Sequence, residues 1–162
     1  MTAAEFPAAP LDRSTRLTSA ALVVAFVGFA LTIPVAEAGP AGRLVGYGFP
    51  VMVLVLAYGL SPRGYRLTAD GRLQILRRWF CSKSFRIDSA APTSALFGLA
   101  GIRLAGSGGA FGWYGLFWRR DTGRFRAYVT DRAHLVVCDG PDGVVVLSPA
   151  DPAAFLAAGP QP

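Results

Sequence analysis

The chain has 162 residues, of which 52% are hydrophobic and only 16% are charged. Soluble globular proteins carry about 25% charged residues, so this composition excludes an ordinary, fully soluble chain. The formal net charge of +6 lies entirely after residue 62, because the first 62 residues hold three basic and three acidic side chains.

Two uncharged segments, 17–36 and 44–62, dominate the first part of the chain. At 1.5 Å of rise per residue, each would span roughly 30 Å as a helix, which is the thickness of the hydrocarbon core of a bilayer. Residues 37–43 between them include two glycines and one proline, which break a helix and allow the chain to reverse. The sequence therefore predicts a transmembrane helical hairpin over residues 17–62.

The flanks of this hairpin predict its orientation. Residues 1–16 contain two prolines and no apolar periodicity, which predicts a disordered arm. Arg13 and Arg16 precede the first span and Arg63 and Arg66 follow the second, whereas the loop holds a single arginine. By the positive-inside rule, the arm and everything after the hairpin are cytoplasmic, at a cell (inner) membrane crossed twice.

An alternative interpretation treats the N-terminus as a secretory signal. The apolar region would then be 17–33 and the cleavage site the small-x-small sequence at 36–38. The apolar region of a signal is usually 7–15 residues long, and here a second apolar segment follows directly. Both observations favour the hairpin.

From Tyr65 onward the apolar pattern changes from continuous to alternating, with turn residues every 8 to 12 positions, which is typical of a small antiparallel β-sandwich or barrel. Residues 89–94 are expected to form a loop or short helical turn. Residues 148–151 resemble a capping box before a C-terminal helix that starts at Pro152. The predicted strands are 65–68, 72–80, 83–87, 96–104, 116–120, 125–130, 134–138 and 144–147.

The run 106–115 is the most distinctive segment, since glycine and aromatic residues make up most of it. A phosphate-binding P-loop would need a lysine followed by Ser or Thr, and none follows here. The glycines are instead expected to allow a sharp corner and close contact between sheets, with the aromatic rings packed over the bare backbone.

Several segments together carry a family resemblance, and they are 109–117 (GAFGWYGLF), 125–131 (FRAYVTD), 136–137 (VV) and 146–155 (VLSPADPAAF). Following two apolar spans, they resemble the bacterial membrane proteins with a pleckstrin-homology-like (PH-like) domain, over residues 65–157. The resemblance implies an α+β membrane protein, with the hairpin followed by a PH-like β domain at 63–162, and it implies no general catalytic activity.

Catalytic and metal chemistry find little support in the residues. Cys81 and Cys138 are the two cysteines, and they are expected to be reduced, packed thiols. His134 is the sole histidine, and Asp131 in a tight turn beside it is a poor orienting partner for a catalytic triad. The sequence predicts no enzyme, cofactor or metal.

The basic residues define the candidate site, and they form two clusters on two predicted hairpins. In the first hairpin, the basic residues lie on both sides of a turn that carries aromatic residues. Near an anionic leaflet each Lys or Arg contributes on the order of 1 kcal/mol, so a tethered domain is expected to contact lipid headgroups rather than nucleic acid. The alternative is a structural subunit of a larger membrane complex with a protein partner. The candidate residues are Arg77, Arg78, Trp79, Lys83, Arg86, Arg119 and Arg120.

Overall fold

The computed structural model describes residues 4–32, 39–93 and 101–160. The helices are α1 (Arg13–Thr32), α2 (Pro40–Arg43), α3 (Phe49–Leu60) and α4 (Pro152–Ala158), and a π-helical segment, Leu44–Gly48, joins α2 to α3. The strands are β1 (Ala4–Pro7), β2 (Pro62–Leu67), β3 (Arg72–Arg77), β4 (Lys83–Arg86), β5 (Ser89–Thr93), β6 (Ile102–Gly108), β7 (Trp113–Arg119), β8 (Gly123–Val129), β9 (Leu135–Asp139) and β10 (Val144–Leu147).

The two apolar segments form helices of the expected length. α1 has 20 residues, and the continuous helical stretch Pro40–Leu60 has 21, so each is about 30 Å long. Pro50 lacks a backbone N–H and interrupts the helical hydrogen-bond ladder, and the π-helical turn lies just before it. The part of the predicted loop and of the alternative cleavage site at 33–38 lies outside the described residues.

The prediction of a disordered N-terminal arm is wrong for residues 4–12. β1 pairs antiparallel with β2, with Phe6 opposite Tyr65. The Phe6 ring packs edge-on against Phe155 of α4 at 5.2 Å between centroids. No apolar periodicity marks this strand in the sequence, because it is only four residues long and buries little more than this one ring.

The strands form two sheets, in the orders β1-β2-β3-β4 and β5-β9-β10-β8-β7-β6. All pairs are antiparallel except β8 and β10, which run parallel, so the predicted purely antiparallel arrangement is wrong at this pair. β10 lies between β9 and β8. The turn after β9 reverses the chain, so β10 runs antiparallel to β9 and in the same direction as β8. The described strands do not close into a barrel.

Two further predictions need correction. Residues 89–93 form β5 rather than a loop, and Pro92 is tolerated because β5 is an edge strand and its missing N–H breaks no ladder. The cap of α4 is Asp151, whose carboxylate accepts a hydrogen bond from the Ala154 amide at 2.9 Å. Ser148 does not cap this helix. Its hydroxyl is buried and accepts the Thr130 amide instead.

The main core lies between the sheets and includes Tyr65, Leu73, Ile75, Tyr128 and Phe155. Tyr65 is fully buried, and its hydroxyl donates to the Tyr128 carbonyl at 2.6 Å. Burial raises the pKa of Tyr65 to about 12, despite opposing hydrogen bonds from Ser148. The phenol therefore stays neutral and acts as a buried hydrogen-bonding group.

Glycines permit a close approach between β6 and β7, which are neighbours in one sheet, whereas the sequence predicted close contact between sheets. Gly106 faces Gly115 across the two strands, with φ of 118° and 127°. A Cβ on Gly115 would lie 2.1 Å from the Ala105 carbonyl oxygen, and a Cβ on Gly106 equally near that of Tyr114. Neither position can therefore hold a side chain without moving a strand.

We expect Phe6→Ala to destabilise the β domain by about 2 kcal/mol, because it removes a half-buried ring that packs on α4. The thermal unfolding of the full-length protein in mild detergent measures this loss. Glu5→Ala is the matched control on the same strand. Its ion pair with Arg66 is exposed, so a change within about 0.5 kcal/mol is expected. Equal stability of both variants would contradict the assignment of β1.

We expect Gly115→Ala to destabilise the protein by more than about 2 kcal/mol, because it combines a positive φ with a backbone clash. Chemical denaturation followed by tryptophan fluorescence provides the measurement. Gly101→Ala is the control at the entry to β6, where the nearest atom would be 3.8 Å away. If the two variants unfold alike, the close contact between β6 and β7 is not formed.

Candidate functional site

The tip of the β3–β4 hairpin lies against the C-terminal end of α3. The Trp79 amide donates to the Gly59 carbonyl at 3.2 Å, and the Trp79 ring packs against Tyr58 at 4.9 Å. A Cβ on Gly59 would lie 2.7 Å from the Phe80 ring, so this glycine makes room for the tip. Arg78 stacks over Tyr58 and donates to the Ser61 hydroxyl. The tip is thus fixed at the end of the second apolar helix.

The glycine-rich loop between β6 and β7 lies against both helices. The Phe111 amide donates to the Ser19 hydroxyl of α1 at 2.8 Å, and the Phe111 ring packs against Tyr58 of α3 at 5.5 Å. Tyr114, which follows on β7, donates its hydroxyl to the Ala57 carbonyl. The start of α1 and the end of α3 therefore meet the same end of the β domain.

Asp12 adds a third connection at this end. Its carboxylate accepts the Thr15 amide at 2.6 Å, as an N-cap of α1, and Arg132 Nε at 3.1 Å from the β8–β9 connection. Partial burial acts to raise its pKa, but hydrogen bonds from Thr15, Arg132 and Ser14 outweigh this and lower the pKa to about 2. Asp12 is thus ionised at neutral pH and couples α1 to the β domain.

At this same end of the β domain, three cations follow core residues along the inward-facing sides of their strands. Alternate residues of a strand share a face, so a residue two positions from a core residue also points between the sheets. The pairs of core residue and cation are Ile75 and Arg77 on β3, Phe85 and Lys83 on β4, and Tyr128 and Arg126 on β8.

These three cations line a cavity of about 350 Å³ between the sheets. Among the described residues, no Asp or Glu lines it. Partial burial and the charges of Arg77 and Arg126 lower the pKa of Lys83, which reflects how close the three groups lie. The remaining lining residues are Leu60, Ala105, Gly106, Tyr114, Gly115, Leu116 and Tyr128.

Arg77 and Arg126 are held in place by their surroundings. Arg126 donates to the Asp142 carbonyl at 2.8 Å and stacks over the Phe85 ring, while the Arg77 guanidinium lies over the Tyr128 ring. Arg77 Nε is buried and has no hydrogen-bond partner among the described residues. A buried polar group left unpaired costs about 1–3 kcal/mol, and more when it is charged. The cavity wall thus combines two guanidinium groups fixed by neighbouring rings with one buried, unpaired donor atom.

The seven residues selected from the sequence fall into separate places. Arg77 and Lys83 meet in the cavity, and Arg78 and Trp79 lie at the end of α3. Arg86, at the other end of β4, pairs with Asp142 at 3.3 Å.

The second predicted cluster is remote from the helix ends. Arg119 lies six residues along β7 from Trp113, which corresponds to about 20 Å. It forms an exposed ion pair with Asp121 at 2.8 Å, and Arg120 next to it is exposed. The structure therefore does not bring this cluster to the cavity.

Arg126 is the cavity residue that the sequence selection missed. It lies on β8, in the second of the two hairpins that carry the predicted clusters. The available signal was the two-residue spacing to Tyr128 within an alternating strand, which puts both side chains on one face. Sequence spacing within a hairpin does not show which cations face inward.

The other reactive side chains form no site among residues 4–32, 39–93 and 101–160, where no cluster of three potential metal ligands occurs. His134 Nδ1 lies 2.8 Å from Asp131, which also accepts the Ala133 amide, so the pair stabilises a turn. Cys138 is buried as expected, but Cys81 at the hairpin tip is exposed.

Two packed sheets and a C-terminal helix on the core define a small PH-like domain. The chain belongs to the Bacterial PH domain family, whose model matches residues 71–161, more than half of the chain. No curated protein and no solved structure matches the chain significantly.

Proposed function

We propose that this chain is a membrane-anchored PH-like binding module that contacts anionic lipid headgroups at the inner leaflet, without catalysis. One observation carries the proposal. The β3–β4 tip, with Trp79 62% exposed and Phe80 40% exposed, lies at the end of an apolar helix and next to a cluster of cations. Aromatic rings beside basic side chains are typical of the interface between bilayer and water.

The burial of the two helices supports the membrane anchor. Only 11% of each apolar stretch is buried, whereas the core helix of a soluble protein would be mostly covered. Two exposed apolar helices of about 30 Å need a nonpolar environment, which a bilayer provides. The positive-inside rule then gives a cytoplasmic β domain, because the arginines flank the ends that contact it.

The arrangement of charge supports lipid as the partner. The cations of the β3–β4 hairpin lie close in space to the C-terminal end of α3, where the surface of a bilayer would be. Each such group contributes on the order of 1 kcal/mol near anionic lipid, and this contribution decays within a Debye length of about 10 Å. Contact of Arg119 and Arg120 with lipid stays a prediction. From about 20 Å away, they would contribute much less.

A second candidate function is that of a structural subunit in a membrane complex. β6 lies at the edge of the larger sheet, and its Ile102 and Leu104 are 58% and 48% exposed. An exposed apolar edge strand can pair with a strand of another protein. This observation favours a protein partner at β6, away from the lipid contact.

Cys81 allows a direct test of lipid contact. Burial raises the pKa of Cys138 to about 12 and keeps that thiol unreactive, so a polarity-sensitive fluorophore will label Cys81 at the tip. In nanodiscs, we expect the full-length labelled protein to show a blue-shifted emission when phosphatidylglycerol is added to phosphatidylcholine. High salt should reverse the shift.

Trp79→Ala should reduce this shift by at least half, because it removes the exposed aromatic ring of the tip. Trp118→Ala is the matched control, a partly exposed tryptophan near the far end of β7, and should leave the shift unchanged. Identical spectra in neutral and anionic nanodiscs at low salt would overturn the proposed lipid contact.

For the second candidate, we expect Leu104→Lys to abolish co-purification of a stoichiometric partner in mild detergent, because a charge would be placed on the apolar edge. Trp79→Ala should retain the partner. Purification of the unmodified chain alone, at every step, would count against the structural-subunit function.

A further inference from the structure

We propose that the cavity between the sheets, lined by Arg77, Lys83 and Arg126, is a binding site for a phosphate monoester. This inference deepens the proposed function, on which its lipid source rests. It differs from general attraction to an anionic surface because it requires a defined pocket and a particular kind of anion.

The charge balance of the cavity calls for an anion. Three cations, and no acidic residue among the described residues, line a volume of about 350 Å³. The three positive charges repel one another, as the lowered pKa of Lys83 reflects. Arg77 is held over the Tyr128 ring and Arg126 over the Phe85 ring, so both guanidinium groups are fixed in position. An anion bound between the three groups would relieve the repulsion.

The number of donors favours a monoester over a diester. A phosphate monoester carries a charge of about −1.5 to −2 and three terminal oxygens, whereas a diester carries −1 and two. Arginine donates to two phosphate oxygens at once, and two arginines from opposite sheets with one lysine can surround all three. The backbone of Gly106 and Gly115 forms part of the opposite wall.

The position of the cavity favours a lipid as the source. Leu60, the last residue of α3, contributes to its lining, so the pocket lies at the end of the apolar helix. In a bilayer this is the depth of the lipid phosphates. The same chemistry could also hold a soluble phosphate monoester, so the experiment needs an arm for each source.

Native mass spectrometry of the full-length protein in mild detergent tests the lipid arm, with phosphatidic acid or phosphatidylglycerol added at equal concentration. We expect at least tenfold tighter retention of phosphatidic acid, the monoester. Arg126→Gln and Arg77→Gln should each reduce this preference to less than threefold. Arg120→Gln is the matched control, since it removes an exposed charge far from the cavity, and it should keep the preference.

Thermal unfolding tests the soluble arm and separates binding from misfolding. Glycerol 3-phosphate should stabilise the unmodified protein more than sulfate does at equal ionic strength. Without ligand, Arg77→Gln should unfold at the same or a higher temperature than the unmodified protein, because it relieves the repulsion between cations. With ligand, the variant should gain no stability.

The outcomes distinguish the two proposals. Monoester preference in the lipid arm, the soluble arm or both supports the cavity, and the stronger arm identifies the source. Equal retention of both lipids with no stabilisation by glycerol 3-phosphate overturns the cavity proposal and leaves general lipid contact intact. Failure to retain either lipid, together with stabilisation by glycerol 3-phosphate, supports the cavity and overturns the lipid function.

Discussion

The attachment of the β domain to the ends of α1 and α3 is the constraint on which the site depends. Backbone hydrogen bonds at Trp79, the Ser19 contact to the glycine-rich loop and the Tyr114 bond to Ala57 act at one end of the sandwich. Because these contacts involve both strand hairpins, the cavity between the sheets has a fixed position relative to the helix ends. The ends of the two apolar helices and the cavity with its three cations thereby lie on one surface.

The β domain is formed by segments that precede and follow the apolar helices in the sequence. The family match begins at residue 71, yet β1 and β2 precede it and complete the smaller sheet. The Thr130 hydroxyl donates to the Ala9 carbonyl, and the Ser148 hydroxyl accepts a hydrogen bond from the Thr130 amide. The N-terminal segment is therefore an integral part of the fold. It runs across the sandwich before it reaches α1.

Three cations at the edge of an apolar core disfavour folding, and such an arrangement is expected only where the charges serve a function. The strands could have ended their inward rows with apolar residues, which would remove the repulsion and the unpaired Arg77 Nε. Local departures from the best packing are commonest at functional sites. The cavity is the one described place where inward-facing charge, burial and an open volume coincide.

The sequence alone determined the class of the protein. Uninterrupted apolar runs required two helices about 30 Å long, alternation predicted most strands, and the 106–115 segment with 146–155 indicated the PH-like family. These features are local, so periodicity and turn residues reveal them. The tertiary structure decided which cations meet, because Arg77, Lys83 and Arg126 come from two sheets and up to 49 positions apart, as the residue numbers 77 and 126 show. It also decided the fate of the N-terminal arm, since a four-residue strand is stable only when a partner strand and a ring such as Phe155 are brought to it.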